Sequence, residues 1–400
     1  MIHLGDITKI TGYTVPVVDC VIGGSPCQDL SVAGKRAGLD GERSGLYMEQ
    51  IRIVKEMRER DERNGRTGVD IRPRYMVWEN VPGAFSSNKG EDFRIVLEEL
   101  AKVKDKNAVI PMPDKGKWTT NGCIVGDGWS IAWRVLDAQF WGVPQRRRRI
   151  ALVADFGGES APEILFVRQS VSRDIDESEP KRKATPTDVE RSIGADDREG
   201  ELPYTLKIRS GCEGGGKGAL VQENMSATLA CNNDQYLFQP QAVCYGFDPS
   251  ATRDVGQYFL EEKGNVLVNG SCPGHHNGVC IKSGTRYIVR RLTPLECERL
   301  QGYPDGWTDI GEWVDSNGKK RQTSDAARYK ALGNSIALPP WKWVLKRLCA
   351  CYERDATMAS LFDGIGGFPY LWEQLNGKGT CLWASEIEEF PIAVTKKRIE

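Results

Sequence analysis

The chain has 400 residues, which at about 100–200 residues per domain implies two or three units. Its 54 Lys and Arg against 55 Asp and Glu give a net charge of −1, excluding a bulk polycation or an acidic solvating tail but not a basic face balanced elsewhere. No apolar run reaches the ~20 residues of a membrane span, the opening MIHLGDITKI lacks the pattern of a secretory leader, and there are only three histidines and no CxxC pair. These features argue against a membrane or secreted protein, a structural zinc site and Ser-His or Cys-His catalysis, and the 12 cysteines are expected to be mostly buried thiols in a cytoplasmic protein.

In chain order, Val17–Ile22 is a β-branched run ending at Gly23-Gly24, Tyr75–Trp78 a second ending at Glu79-Asn80, and Ser130–Leu136 and Ile150–Ala154 two more. Helical spacing covers Tyr47–Arg60 and Phe93–Val103. Strands alternating with helices predict a parallel sheet with helices on both faces. From about Gly157 to Thr285 the texture changes to short apolar pieces between glycine-rich and Asn-rich turns, read as a separate insert of small strands and loops. The α/β texture then returns. Thr293-Pro294-Leu295-Glu296 forms a capping box opening a short helix that Gly302 stops. Trp341–Cys351 is helical, Ala359–Phe362 a strand, Phe368–Leu375 a helix stopped at Asn376-Gly377, Thr380–Ser385 a strand, and Phe390–Ile399 a helix.

Two turns carry chemistry. Phe362-Asp363-Gly364-Ile365-Gly366-Gly367 lies between a strand and a helix, where glycines let a ligand approach the backbone, and Glu386, 19 residues past Gly367, ends the next strand as a ribose acceptor would. A tight turn alone would explain the glycines; the acid favours a nucleoside, dinucleotide or S-adenosyl-L-methionine, and the turn has no basic residue for phosphates. Gly23-Gly24-Ser25-Pro26-Cys27-Gln28 is a sharp elbow at a strand's carboxyl end that aims one thiol. The basic, glycine-rich stretch Ser31–Ser44 after it reads as a surface loop or as a lid over an anionic substrate. Cys272, His275, His276 and Cys280 are irregularly spaced and read as loop residues; no metal site is expected.

Together these residues resemble the DNA (cytosine-5) methyltransferases. The carriers are Gly-Gly-Ser-Pro-Cys-Gln at 23–28, Glu79-Asn80-Val81, Gly142-Val143-Pro144 with Gln145-Arg146-Arg147-Arg148-Arg149, Arg290–Thr293 through Gln301–Pro304, Gly333-Asn334-Ser335, Phe362–Gly367, Glu386 and Gly5-Asp6-Ile7. The matches cover roughly 260 residues at the two ends of the chain; the joint occurrence of short motifs makes the match specific. The resemblance implies a Rossmann-like S-adenosylmethionine-dependent sheet with a smaller target recognition domain. The catalytic domain would occupy 1–156 and 358–400, the recognition domain 157–285, and the supporting motifs and join 286–357. It implies Cys27 as nucleophile on C6 of cytosine, Glu79 holding N3 and the exocyclic amine, Arg147 orienting base and thiolate, and Arg149 fixing O2 and the glutamate. S-adenosyl-L-methionine would lie on Phe362, Asp363, Gly364, Ile365, Gly366, Gly367, Glu386, Ile387, Asp6 and Ile7, with Pro26, Leu46, Asn334 and Ser335 at its methionine end. Double-stranded DNA would meet Gln28, Ser31, Lys35, Arg36 and Arg43, with the target base flipped out of the helix; position 33 is alanine where relatives often carry serine.

The resemblance further implies a monomer of bacterial or phage type, with a restriction endonuclease of the same target sequence as a compatible partner. The glycine turn opens the chain in most relatives; here it follows the last motif, a circular permutation that requires the two termini to lie close together. An RNA cytosine-5 methyltransferase, a catalytically silent DNA-binding relative and a nicotinamide-dependent oxidoreductase are the alternatives. The large middle segment, the intact Cys27, Glu79, Arg147 and Arg149, and the thiol elbow argue against each in turn.

Overall fold

The computed structural model describes residues 1–25, 45–167, 204–210, 217–231, 235–241, 244–247, 260–261, 278–281 and 286–400. In chain order these form β1 (Ile2–His3), β2 (Cys20–Gly23), α1 (Gly45–Arg63), β3 (Tyr75–Asn80), α2 (Glu91–Ala101), β4 (Asn121–Gly126), β5 (Trp129–Asp137), β6 (Arg148–Asp155) and α3 (Ala161–Leu165). The middle contributes β7 (Tyr204–Ser210), β8 (Lys217–Glu223), β9 (Gln235–Gln241), β10 (Cys244–Phe247), β11 (Leu260–Glu261), β12 (Gly278–Ile281) and β13 (Arg286–Arg291). After it come α4 (Pro294–Gln301), β14 (Glu312–Val314), β15 (Lys320–Gln322), α5 (Asp325–Asn334), α6 (Leu338–Cys349), β16 (Met358–Leu361), α7 (Gly367–Asn376), β17 (Cys381–Ser385) and α8 (Glu389–Ile399).

Eight strands make one sheet in the order β1-β17-β16-β2-β3-β6-β5-β4. The two C-terminal strands therefore lie between β1 and β2. The first five positions are mutually parallel, whereas β6, β5 and β4 each run antiparallel to their neighbours. The expectation of a wholly parallel sheet is thus corrected. A parallel step needs a crossover of a dozen or more residues, most often a helix, and the link from β5 to β6 is only the short stretch 138–147.

The continuous apolar runs are explained by burial on both faces. Cys20, Ile22, Tyr75, Val77, Ala151 and Val153 point into a cluster with α3, α6, α7 and α8. Val21, Met76, Trp78, Leu152 and Ala154, one residue out of phase, join Ile51, Val54, Phe93 and Leu97 of α1 and α2. The segment before β16 is pinned to the start of β2: buried Asp19 accepts from Arg354 Nη2 at 2.7 Å and from the Thr357 amide at 2.8 Å. His3 Nε2 and Glu400 Oε1 are 3.5 Å apart, so the two ends of the described chain meet at this edge of the sheet.

The middle strands form two antiparallel sheets, β13-β9-β7-β8 and β11-β10-β12. Ala161, Ile164 and Leu165 of α3 are buried in the main core, so that core continues beyond 156. β13 pairs with β9, so the middle unit continues to Arg291. Thr293 then caps α4 reciprocally with Glu296, and Gly302 closes it in the left-handed region at φ +78°. Among the described residues, no helix is long and apolar enough to cross a membrane.

Candidate active site

The carboxyl ends of β2 and β3 are stitched together just ahead of the predicted thiol. Ser25 is buried; its hydroxyl accepts from Trp78 Nε1 at 2.9 Å and lies 3.4 Å from Asn80 Nδ2. Asn80 Oδ1 accepts from the Val81 amide at 2.8 Å, so one buried amide side chain fixes both the elbow and the backbone two residues past Glu79. The two glycines answer close approaches rather than strain. A Cβ on Gly23 would fall 2.6 Å from Gln50 Oε1, and one on Gly24 2.9 Å from Glu79 Oε2. Glu79 is paired with Arg149, Nε to Oε1 at 2.7 Å, with 14% and 17% of the two side chains exposed.

Strand alternation divides the arginine run. Arg146 and Arg148 are exposed, Arg149 is partly buried and Arg147 is only 3% exposed. Arg147 is anchored from both ends. Its amide donates to Asp137 Oδ1 at 3.1 Å, and its Nη2 donates to the Ser335 carbonyl and, at 3.2 Å, to that of Gly333. Ser335 Oγ in turn shares a 2.5 Å hydrogen bond with Tyr303 OH, whose proton burial holds well beyond the usual phenol range. A Cβ on Gly367 would collide with that same Tyr303 oxygen. Buried contacts therefore link Arg147 to Ser335, Tyr303 and the glycine turn, four points far apart in sequence.

At the turn, Gly364 (φ +57°) faces open space, and its amide donates to Glu386 Oε2 at 2.8 Å. Gly366 (φ +78°) instead meets α8, where a Cβ would be 2.8 Å from Ile399 Cδ1. Phe362 holds φ +56°, a left-handed conformation costing a residue with a Cβ roughly 1–2 kcal/mol. Trp307 Nε1 donates to the Ile365 carbonyl at 2.9 Å and fixes the turn from below. Asp363 is buried beneath it, where desolvation, partly offset by a 2.5 Å hydrogen bond from Ser360 and reinforced by nearby Glu386, pushes its carboxyl up to about 7. Ile387 is 71% exposed beside Glu386.

Open space at Gly364, an acid at the end of the next strand, an exposed apolar side chain at 387 and a strained aromatic at 362 fit a nucleoside methyl donor. Asp6 caps the turn after β1 through Thr8. Ile7, expected beside it at the adenine, is buried with its side chain in the core cluster of α1 and α2. Leu46 opens α1 and packs partly on the same cluster; Asn334 is exposed at the end of α5. A cavity of 590 Å3 lined by His3, Gly5, Trp313, Glu389 and Lys396 shares none of these expected ligand residues.

Pro26, Cys27, Gln28, Ser31, Lys35, Arg36 and Arg43 lie outside the described residues, as do Cys272, His275 and His276. Ser25, Asn80 and Tyr303 were not singled out from sequence as site residues. The first two had a signal in their adjacency to Cys27 and Glu79; Tyr303 had none beyond its place in a matched motif.

A family model described as C-5 cytosine-specific DNA methylase matches residues 1–108 and 124–350. A DNA N-6-adenine-methyltransferase of Escherichia phage P1 is 26% identical over 432 residues, covering 89% of this chain and 56% of that protein. Type II methyltransferase M2.BsuMI of Bacillus subtilis (strain 168) is 26% identical, covering 86% and 62%. Orphan methyltransferase M.SPRI of Bacillus phage SPR is 27% identical, covering 88% and 87%. The chain thus spans less than two thirds of the length of the first two. Among solved structures, S. pombe Dnmt2 methyltransferase aligns at a TM-score of 0.40 and 14% identity, covering 86% of this chain and 82% of its own. On the family-model match over most of its length, the chain belongs to the C-5 cytosine-specific DNA methylase family.

Proposed function

We propose that the protein methylates C5 of cytosine in a specific duplex DNA sequence, with S-adenosyl-L-methionine as donor. The observation that carries this reading is the Glu79–Arg149 pair, set against Gly24 at the end of the strand beside the one leading to Cys27. C5 of cytosine is a weak nucleophile. Addition of the Cys27 thiolate at C6 makes the ring an enamine, and C5 then accepts the methyl group. Glu79 holds N3 and the exocyclic amine, and Arg149 orients that carboxyl and takes O2. Transfer of the C5 proton to a water molecule and expulsion of the Cys27 thiolate from C6 restore the aromatic ring and the enzyme. The methyl donor supplies an electrophilic methyl group when bound. Phe362, Gly364, Glu386 and Ile387 would hold its nucleoside, and Leu46, Asn334 and Ser335 would border its methionine end.

The chain is a circular permutation of the family order in this reading. Insertion of β16 and β17 between β1 and β2, with the side chains of His3 and Glu400 3.5 Å apart, supports it. Cys27 and the lid residues would reach the flipped base and the phosphates, the middle sheets would read the target, and a bacterial or phage cytoplasm is the expected setting. A cognate restriction endonuclease is a compatible partner.

A second reading, adenine methylation, is raised by the phage P1 relative, a DNA N-6-adenine-methyltransferase. Incubation with duplex DNA and labelled S-adenosyl-L-methionine, followed by nucleoside analysis, decides: 5-methylcytosine is expected, abolished in Cys27→Ala. N6-methyladenine as product, or turnover retained by Cys27→Ala, overturns the proposal.

A further inference from the structure

One segment of the middle unit lies directly on the catalytic core. Residues 226–231 run beside the stretch before Arg147: the Ser226 amide donates to the Pro144 carbonyl at 2.9 Å, the Arg146 amide to the Ser226 carbonyl at 3.0 Å, and Thr228 Oγ1 to the Arg146 carbonyl at 2.5 Å. The segment then crosses Gly333. A Cβ there would come within 2.5 Å of the Cys231 amide nitrogen, so backbone lies against backbone and glycine is required. At the crossing, Cys231 Sγ donates to Asn334 Oδ1 across 2.9 Å.

The other side of this strap is held by the middle sheet. Buried Gln235 of β9 bridges it, accepting from the Ala227 amide and donating to the Ala227 carbonyl, each at 3.0 Å. Lys207 of β7 donates to the Thr228 carbonyl at 3.1 Å. The strap is thus tied by hydrogen bonds to the middle sheet on one side and to the arginine run and the 333–335 turn on the other.

We propose that Cys231 is a positioning residue for the methyl donor: its thiol occupies Asn334 Oδ1 and so leaves the amide hydrogens of Asn334 to donate to the methionine carboxylate. Asn and Gln amides offer an acceptor on one side and donors on the other, and a thiol partner selects which side is used. Burial pushes the Cys231 thiol up, against the opposing effect of Arg147, so it is a protonated donor at neutral pH. Because the strap belongs to the middle unit, the docking of that unit sets this side of the cofactor site. The inference rests on the reading that places Asn334 at the methionine end.

The test is calorimetric titration of S-adenosyl-L-methionine into wild type, Cys231→Ala, Cys231→Ser and Asn334→Ala, each checked by thermal melting, with KM for duplex DNA measured in parallel. One hydrogen bond predicts donor affinity weaker by about 3- to 10-fold in Cys231→Ala, restored to within about twofold by the hydroxyl of Cys231→Ser, with KM for DNA unchanged. Asn334→Ala weakened with Cys231→Ala equal to wild type overturns the positioning role and leaves the cofactor reading standing. Cys231→Ser as weak as Cys231→Ala makes the thiol a packing group and also overturns it. Asn334→Ala binding like wild type removes Asn334 from the cofactor, and the role of Cys231 falls with it.

Discussion

Asp363 makes stability depend on pH in a direction opposite to that of most carboxylates. It is only 6% exposed beneath the glycine turn, and desolvation raises it from 3.8 to about 7. Below pH 3.8 it is protonated folded and unfolded alike, and its contribution to stability is fully present. As pH rises through the window between 3.8 and 7, the unfolded chain releases this proton while the folded chain keeps it, so stability falls. A gap of about three pH units is worth roughly 4 kcal/mol, all of it lost once the folded carboxyl has ionised. Asp363→Asn keeps the shape and cannot ionise. Urea denaturation of both proteins from pH 4 to 8.5 should show Asp363→Asn gaining on wild type by about 1.4 kcal/mol per pH unit across the window and levelling off above it. Taking the difference cancels other titrating groups, among them Asp19 and Asp155, which shift downward and act in the opposite sense. A difference that stays constant from pH 4 to 8.5 would show that the folded protein retains no proton at Asp363 that the unfolded chain releases.

Three further outcomes follow from the geometry. Arg149→Met removes the partner of a largely enclosed carboxylate at 2.7 Å and should lower kcat by about 100-fold or more, with donor affinity unchanged; a wild-type kcat would show the pair to be idle. Gly367→Ala drives a methyl group into Tyr303 OH and should cost about 1–3 kcal/mol in denaturant titrations; it should also weaken donor binding, because the helix behind the turn must shift. Placing residues 358–400 ahead of Met1 by a short linker should give a folded, active protein, since β17 already pairs with β1; an insoluble or inactive product contradicts the permuted reading.

Much of the sheet was legible because β2, β3, β5 and β6 are continuous apolar runs, and α4 because its cap, proline and glycine are local devices. The hairpin at β4 was missed. Its sequence, Asn121–Gly126, carries two glycines that weaken strand propensity, and their reason is non-local: the rings of Trp133 and Trp129 lie where Cβ atoms would stand. Asp127-Gly128 between β4 and β5 was the available signal. Strand direction is not encoded by burial pattern; the shortness of the link 138–147, too brief for a parallel crossover, is what sets it. At the site, spacing grouped residues within each motif. The contacts from Arg147 to Ser335 and from Tyr303 to Ser335 and Gly367 join motifs separated by tens to hundreds of residues, and periodicity carries no such information.

The proposed reaction turns on a covalent bond between Cys27 and C6 of the target cytosine. Duplex DNA carrying 5-fluorocytosine tests it directly, because fluorine at C5 cannot leave as the proton does and the adduct persists. Incubation of the protein with such DNA and S-adenosyl-L-methionine should give a denaturation-resistant protein–DNA complex that requires the methyl donor and is absent in Cys27→Ala. A protein that methylates ordinary DNA yet forms no such complex, or forms it equally with Cys27→Ala, would contradict the account.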